Sequence, residues 1–245
     1  ILVEKPITEN FFQLKKIKNK LLERNSKVLI YEGFMYKYYP QINKILDLIN
    51  NNEIGEITKI ISSFGANILT KKKFLFFNKK KRIDKEGRLF NKKLGGGSIL
   101  DLGCYPVSFI TMLLEKFRFI NFDDYKVFRK KVEIGETGVD IDSKIEMKVN
   151  NKIIIELSSS FKKNIGLATE IYGSKGSIVI PNTWTGSSNI ILKKENNKDI
   201  IVFDEIDDIY LDQINTISNN LLNNNIGHNI DNMLLNMKII DQWLN

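Results

Sequence analysis

The sequence predicts the end of a doubly wound, parallel α/β domain, followed by a large, open, mostly antiparallel sheet with helices on one face. Two observations predict this. A strand–helix–strand pattern occupies residues 1–33, and strand patterns joined by short turns dominate 121–203. We therefore expect two domains, 1–33 and 34–245, with the last helices able to pack back on the first domain.

The first unit is a short strand, a helix and a second strand. Ile1-Leu2-Val3 is an apolar run typical of a buried parallel strand, and Pro6 interrupts it. Thr8 is expected to cap the helix, and 27–31 is the second strand. The helix has its apolar positions at Phe11, Leu14, Ile17 and Leu21. No Met opens the chain, which begins inside the first strand, so we expect it to be incomplete at its N-terminus.

The second unit begins near Phe34. Pro40 opens a helix, because proline is favoured at the first helical position, and 56–64 is a strand. A helical pattern covers 99–114, where Pro106 either kinks the helix or starts its second half. Further strands are predicted at 125–128, 139–149, 152–161, 167–172 and 177–180. Two closing helices carry apolar stripes, the first of them at Tyr210, Ile214, Ile217 and Leu221.

The composition excludes several classes of protein. Hydrophobic residues make up 42% of the chain and charged residues 27%, which is typical of a globular protein. A single cysteine, Cys104, and a single histidine, His228, exclude an internal disulfide and a Cys/His zinc site, so we expect no metal. No apolar run approaches the roughly 20 residues of a membrane span. We expect no membrane partner and a cytoplasmic location.

The net charge of +8 allows two interpretations. The basic stretch 71–93, with interleaved aromatic residues such as Phe74 and Phe76, is a pattern that suits single-stranded nucleic acid. However, lysine, asparagine and isoleucine are abundant along the whole chain, so this stretch needs no anionic partner. We favour a solvated loop and expect no nucleic-acid partner. The open sheet, in contrast, needs a cover for its second face, and another subunit is a natural one, so we expect a homo-oligomer.

Several motifs, in one order along the chain, resemble a known family. They are Glu4-Lys5-Pro6, the segment 32–41 beginning Glu32-Gly33-Phe34-Met35-Tyr36, Arg88-Leu89-Phe90, the block Gly95-Gly96-Gly97 with Asp101, Gly103 and Tyr105-Pro106, and the turn Ile171-Tyr172-Gly173-Ser174-Lys175-Gly176. Together they resemble the glucose–fructose oxidoreductase / inositol dehydrogenase (Gfo/Idh/MocA) family. Tyr105 is similar to the branch of D-xylose dehydrogenases and dimeric dihydrodiol dehydrogenases.

The resemblance implies a function. Members of the family transfer a hydride between NAD or NADP and a sugar or cyclic diol. They begin with a Rossmann-type strand, glycine-rich turn and helix that hold the pyrophosphate, and we expect that part to precede Ile1. The 245 residues alone would then be inactive. The competing interpretation is an inactive, truncated member that acts only as a dimerising or binding domain.

The resemblance also implies site residues. Tyr105 is the expected acid/base, and Lys5, aimed by a Lys5–Pro6 bond that is cis in the family, is expected to lower its pKa. The expected cofactor contacts are Glu4, Lys5, Pro6, Lys37 and Arg88. The expected substrate contacts are Asp101 and Tyr39. From the residues alone, a buried aromatic at a helix start is the favoured interpretation of Tyr105, and the resemblance reverses it. Asp101 is equally compatible with a capping or solvated carboxylate, and Arg88 is nearly as compatible with a solvated charge.

Overall fold

The computed structural model describes residues 1–74, 77–117, 125–186, 189–195, 197–206, 208–223 and 230–245, without the side chains of 72–74 and 77–78. The helices are α1 (Phe11–Glu23), α2 (Pro40–Asn50), α3 (Cys104–Lys116), α4 (Leu211–Leu222) and α5 (Ile230–Leu244). The strands are β1 (Leu2–Val3), β2 (Tyr31–Glu32), β3 (Ile57–Gly65), β4 (Thr70–Phe74), β5 (Phe77–Lys80), β6 (Tyr125–Ile134), β7 (Asp140–Val149), β8 (Ile153–Ser160), β9 (Thr169–Gly173), β10 (Gly176–Ile180), β11 (Ile190–Lys194) and β12 (Asn197–Ile201).

The N-terminal unit is a parallel strand pair with α1 between its strands. Leu2 pairs with Tyr31 and Val3 with Glu32, as the strand–helix–strand pattern predicts. The predicted cap at Thr8 is wrong. The helix begins two residues beyond the predicted position, so the side chain of Asn10 accepts the hydrogen bond from the backbone N–H of Gln13 at 3.0 Å.

Strands β3 and β6–β12 form the large sheet, in the order β12-β11-β10-β9-β3-β8-β7-β6. Neighbouring strands are antiparallel except β3 and β8, which run parallel with Ile60 opposite Ile155. The chain between them carries α3, which packs on both strands, and α5 packs on β6 and β7. The predicted open, mostly antiparallel sheet with helices on one face is therefore confirmed.

A ladder of opposite charges crosses four strands of the large sheet. The Lys59 ammonium lies 2.6 Å from Glu156, which lies 2.8 Å from Lys144, and Lys144 lies 3.0 Å from Glu146. Arg129 on β6 completes the ladder, 3.3 Å from Glu146. Opposite charges on facing strands stabilise the pairing. This part of the sheet surface is therefore polar.

The structure corrects two local predictions. The basic stretch 71–93 is not a plain loop, because Thr70–Phe74 and Phe77–Lys80 pair as a hairpin; Phe76 lies outside the described residues, as does His228. The predicted stripe of α4 does not face the core along its whole length. Ile217 is buried, whereas Tyr210 and Ile214 are half-exposed, because α4 contacts the 3₁₀ turn Met35–Tyr38 only along a narrow strip.

Among the described residues, one stretch, Lys92–Lys116, is long and apolar enough to cross a membrane by length and composition. Most of it is buried inside the protein, where α3 lies between the sheet and α5. This burial is what a core helix requires. Pro106 lies in the first turn of α3, so of the two predicted roles it starts the second half of the pattern rather than kinking it.

Candidate active site

Lys5 follows β1 and is aimed across the N-terminal unit towards α3. The Lys5–Pro6 peptide bond is cis, as the family resemblance implies. The Lys5 ammonium donates to the backbone carbonyl of Asp101 at 2.6 Å and to its carboxylate at 3.3 Å. The same ammonium lies 4.8 Å from the centre of the Tyr105 ring. Residues distant in the chain thus meet, and an amine and a phenol share one site.

A π-helical turn, Ile99–Gly103, carries Asp101 directly before α3. Its start is held by the buried Asp140, whose carboxylate accepts from Ser98 Oγ at 2.6 Å and from the N–H of Ile99 at 2.8 Å. Gly97 has a φ of +123°, and a Cβ there would lie 2.2 Å from Asp140 Oδ1. Only glycine fits this approach, which gives the third glycine of the motif a structural role.

Aromatic residues enclose Tyr105, and only 7% of the residue is exposed. The rings of Phe34 and Phe64 meet it edge-to-face at 5.3 and 5.2 Å between centroids, and Trp184 lies at 5.9 Å. Each such pair contributes about 0.5–1.5 kcal/mol beyond area burial. The phenol donates only to Met35 Sδ at 3.7 Å, a weak acceptor. A rigid ring therefore carries a hydroxyl with no strong partner among the described residues.

Burial raises the pKa of the Tyr105 phenol well above its usual value. This contradicts the lowered pKa that we expected from Lys5. The reason is that Lys5 lies over the ring face and donates to Asp101 rather than to the phenol oxygen, while the negative charges of Asp101 and Glu4 also oppose the phenolate. Tyr105 is therefore a protonated phenol at neutral pH in this state of the protein.

Asp101 joins two cations at the site. Its Oδ1 lies 2.9 Å from Arg88 Nη1 and 3.3 Å from Lys5 Nζ. The side chain of Arg88 is 62% exposed and that of Asp101 13% exposed, so the pair runs from the surface into the site. Asp101 does not cap α3, because the helix begins after Gly103 without a side-chain cap and Asp101 lies inside the preceding π-helical turn. Arg88 is not an isolated solvated charge.

The other predicted site residues lie outside the cluster formed by the side chains of Lys5, Arg88, Asp101 and Tyr105. Lys37 lies over the Phe34 ring at 5.0 Å; burial lowers its pKa, and the charge of Glu32 acts in the opposite direction. Tyr39 is fully buried, and its hydroxyl accepts from the N–H of Gly186 at 3.4 Å, so a substrate contact would require a rearrangement. Glu4 is exposed and Pro6 half-buried beside the site.

Sequence reasoning missed Glu32, Met35 and Asp140. Glu32 and Met35 lie inside the quoted motif at 32–41, so the motif marked their region but not their roles. Asp140 opens a strand far along the chain, and no local pattern links it to the glycine block that it holds. Only tertiary contacts reveal that link.

Comparison with solved structures gives the class of fold. The 3-ketoreductase KijD10 of Actinomadura kijaniata, solved with NADP and TDP-benzene, matches 98% of this chain and 68% of its own with a TM-score of 0.78 at 18% identity. An aldose-aldose oxidoreductase of Caulobacter crescentus matches with the same TM-score and coverage at 14% identity. This chain therefore shares its fold with about two thirds of each of these proteins.

Sequence comparison gives the family. The model of the GFO/IDH/MocA C-terminal domain matches residues 42–179. A trans-1,2-dihydrobenzene-1,2-diol dehydrogenase of Xenopus tropicalis is 30% identical over 82% of this chain and 54% of its own length. A dTDP-3,4-didehydro-2,6-dideoxy-alpha-D-glucose 3-reductase of Saccharopolyspora spinosa is 25% identical over 76% and 49%. The chain belongs to the GFO/IDH/MocA family, and it spans about half the length of these curated relatives.

The described residues fit one end of a nicotinamide cofactor. An ammonium has three donors. Among the described residues, Lys5 directs two of them to the carbonyl and the carboxylate of Asp101, so one remains for a ribose or substrate hydroxyl. The glycine block does not fit the pyrophosphate. The N–H groups of Gly96 and Gly97 already donate to the carbonyls of Asn91 and Leu89, at 3.0 Å each. Carbonyl oxygens would also meet a Cβ on Gly96 at 2.8 Å, and such oxygens repel a phosphate.

Proposed function

We propose that this chain forms the substrate side of an NAD(P)-dependent oxidoreductase that interconverts a secondary alcohol and a ketone on a sugar or cyclic diol. The observation that carries the proposal is the position of the Lys5 ammonium above the Tyr105 ring. The relatives named above are dehydrogenases and reductases of such compounds, and KijD10 was solved with NADP. NADP is therefore the first cofactor to test, with NAD as the other.

Tyr105 acts as the proton donor and acceptor in this proposal. A bound nicotinamide would supply or accept the hydride, and the protein's residues move the proton and hold the substrate. In the direction of reduction, the protonated phenol donates its proton to the carbonyl oxygen while that carbon receives the hydride. In the direction of oxidation, the phenolate removes the hydroxyl proton. The raised pKa of Tyr105 favours reduction at neutral pH.

Lys5 and Asp101 orient the substrate. The free donor of Lys5 binds the reacting oxygen or the neighbouring ribose hydroxyl. Arg88 pairs with Asp101 and so reduces the negative charge that Asp101 presents to the site. Glu4, Pro6 and Lys37 shape the surroundings of Lys5 rather than contact the reacting atoms. Holding the reacting groups in a fixed geometry accelerates the reaction, because their translational and rotational freedom is already lost when the substrate binds.

A further part of the protein is needed for the pyrophosphate. The N-terminal unit 1–33 leaves large apolar side chains on its surface, including Phe12, which is 75% exposed, and Leu22 and Leu2. A contiguous patch of exposed apolar residues is typical of a surface that another body covers, and we propose that these residues belong to such a patch. We propose that residues 1–33 are the C-terminal end of a dinucleotide-binding domain whose other part packs there, and that the division at 33/34 separates this domain from the substrate-binding and dimerisation domain 34–245.

The proposal extends to assembly and location. A second copy covers the charge ladder of the large sheet, where alternating signs can face alternating signs, and the buried thiol of Cys104 is compatible with a cytoplasmic protein. The partners are a small-molecule sugar or diol and a second copy, without nucleic acid or a membrane.

The test compares two proteins, the 245 residues and the same chain extended upstream. Each is titrated with NADPH and NADH by fluorescence, then assayed with a panel of cyclic ketones, keto-sugars, diols and aldoses. We expect cofactor binding and turnover only in the extended protein. Cofactor binding without turnover of any substrate would favour the inactive, dimerising member, and no cofactor binding by either protein would refute the proposal.

A further inference from the structure

Glu32 is a buried carboxylate that the proposed reaction does not use. The residue is 8% exposed and lies on β2, beside the strand that leads into Lys5. Its Oε1 accepts from the backbone N–H of Ile7 at 2.9 Å. Pro6 has no N–H, so Ile7 carries the first backbone donor after Lys5. Through this bond, Glu32 holds the turn from which the Lys5 side chain extends.

The other oxygen of Glu32 connects this turn to the helices. Glu32 Oε2 accepts from the Asn236 amide on α5 at 3.5 Å, and the Asn236 carbonyl accepts from the Thr111 hydroxyl on α3. Asn232, one turn earlier on α5, donates to the Thr111 backbone carbonyl at 3.1 Å. Thr111 lies on the same helix as Tyr105. A continuous chain of buried and partly buried hydrogen bonds therefore joins the Lys5 turn to the helix of Tyr105.

A carboxylate is an expensive group to place here, because burying a charge costs several kcal/mol unless it is paired. Burial raises the pKa of the Glu32 carboxyl, and the hydrogen bonds from Ile7 and Asn236 oppose this rise. Lys37 and Lys5 are the positive charges that act on Glu32 and oppose the effect of burial on its pKa. A buried neutral side chain would avoid the cost. The carboxylate instead places a strong acceptor under the Lys5 turn, since hydrogen bonds to charged acceptors are about twice as strong as neutral ones.

We infer that Glu32 is a positioning residue, which acts through the Ile7 N–H to keep the Lys5 ammonium above the Tyr105 ring, with Asn236 as its anchor on α5. The contacts of Glu32 are independent of substrate, but the role itself rests on the proposed function. Glu32 touches neither Tyr105 nor the reacting atoms. Its removal lets the 5–7 turn move while the aromatic pocket around Tyr105 stays intact.

The first test uses the 245-residue chain and needs no activity. Hydrogen exchange of the Ile7 amide and the rate of Lys5 acetylation by dilute acetic anhydride are compared in wild type, Glu32→Ala, Glu32→Gln and Asp241→Ala. Asp241 is the matched control, because its carboxylate on α5 also accepts from a backbone N–H of the N-terminal unit, that of Phe11, at 3.0 Å. Circular dichroism verifies that each variant is folded.

In Glu32→Ala, we expect Ile7 exchange to accelerate roughly 10- to 100-fold, the range for losing a hydrogen bond to a charged group, and Lys5 to acetylate faster. Glu32→Gln keeps a neutral acceptor for the Ile7 N–H and should therefore accelerate exchange less than Glu32→Ala does. Asp241→Ala accelerates exchange at Phe11 and leaves Ile7 and Lys5 unchanged. Unchanged Ile7 exchange in folded Glu32→Ala would overturn the inference, as would the same acceleration in the Asp241 variant. If Glu32→Ala does not fold, Asn236→Leu, which removes only the anchor, is judged by the same two readouts.

The second test uses the extended, cofactor-binding protein. We expect Glu32→Ala to lower kcat about tenfold or more, with a smaller change in KM. Glu32→Gln should restore most of the lost kcat. A merely structural role for Glu32 would not give a recovery that is confined to kcat. A Glu32→Ala variant with a loosened turn and unchanged kcat would overturn the positioning role. A wild type that binds cofactor without turnover refutes the proposed function instead, and the exchange result then decides only whether Glu32 holds the turn.

Discussion

The ammonium of Lys5 lies 4.8 Å from the centroid of the Tyr105 ring, while the Tyr105 hydroxyl points to Met35 Sδ. The contact is a cation–π contact, worth about 0.5–2 kcal/mol according to its exposure to solvent. It holds the two side chains together without ionising the phenol. Since Lys5 donates to Asp101 at the same time, it makes no hydrogen bond to the Tyr105 hydroxyl in the described structure.

Replacement of Tyr105 by phenylalanine removes the proton donor and keeps the ring. We expect Tyr105→Phe to lower kcat in the extended protein by about 10²- to 10⁴-fold, the usual contribution of a positioned acid/base. Its thermal midpoint should change little, because the lost bond to sulfur is weak. Tyr172→Phe is the control, since it removes a hydroxyl bonded to Glu170 on β9. Equal kcat values for the two variants would remove Tyr105 from the mechanism.

The raised pKa of Tyr105 predicts a pH profile. Below that pKa the phenolate fraction rises tenfold per pH unit, so kcat/KM for alcohol oxidation should rise by up to that factor without a plateau up to about pH 10, the ordinary value for tyrosine. Ketone reduction should stay flat over the same range. Initial rates in both directions measure this. A plateau in oxidation near neutral pH would mean that Lys5 lowers the phenol pKa after all.

Asp101→Asn removes the negative charge of the Asp101 side chain and keeps its shape. The carboxylate opposes the phenolate of Tyr105, so its neutralisation should shift the rise in oxidation rate to lower pH. Stability should change by less than about 1 kcal/mol, because one partner, Arg88, is largely exposed and such pairs contribute little. The pH profile and a urea titration are the measurements. An unshifted profile with a changed KM would assign Asp101 to substrate binding alone.

Asp140 should make stability depend on pH. Burial raises its pKa above the usual value of 3.8, and its Oδ1 has no partner in the described structure. A raised acid pKa stabilises the fold below the unfolded value, and this contribution is lost as pH rises through the folded value. The unfolding free energy of the wild type should therefore fall relative to that of Asp140→Asn as pH increases from 3.8. Asp140→Ala should cost about 1–3 kcal/mol near pH 4, because it leaves the N–H of Ile99 unpaired, and this cost should decrease as pH rises. Denaturant melts of both variants at several pH values test this, and parallel curves for wild type and Asp140→Asn would contradict it.

The charge ladder provides a test of the proposed dimer. If a second copy covers it, Glu156→Lys should place three like charges together and dissociate the dimer, as measured by light scattering after gel filtration. Glu133→Lys is the control, a charge reversal of an ion pair on the edge strand β6. Monomeric wild type, or equal dissociation by both variants, would argue against assembly through the ladder.

The parts of the fold that follow from local patterns were predictable. The helix opened by Pro40 and the alternation around Ile155 were predicted within a residue or two, since proline and burial impose them locally. The start of α1 was not, because both Thr8 and Asn10 are good caps and packing against α5 decides between them. The proximity of Lys5 and Tyr105 came from the family resemblance. The protonation state of Tyr105 depends on burial by Phe34, Phe64 and Trp184, which no spacing reveals.

The π-helical turn Ile99–Gly103 sets the rotation of everything that follows it. Deleting one residue there would turn each later side chain by about 100° around the helix axis. Tyr105 would leave Lys5, and Gly103 would no longer face Trp243, against which a Cβ would come within 3.0 Å. The number of residues between Ser98 and Tyr105 is thus constrained by two contacts, that of Tyr105 with Lys5 on one side of the helix and that of Gly103 with Trp243 on the other.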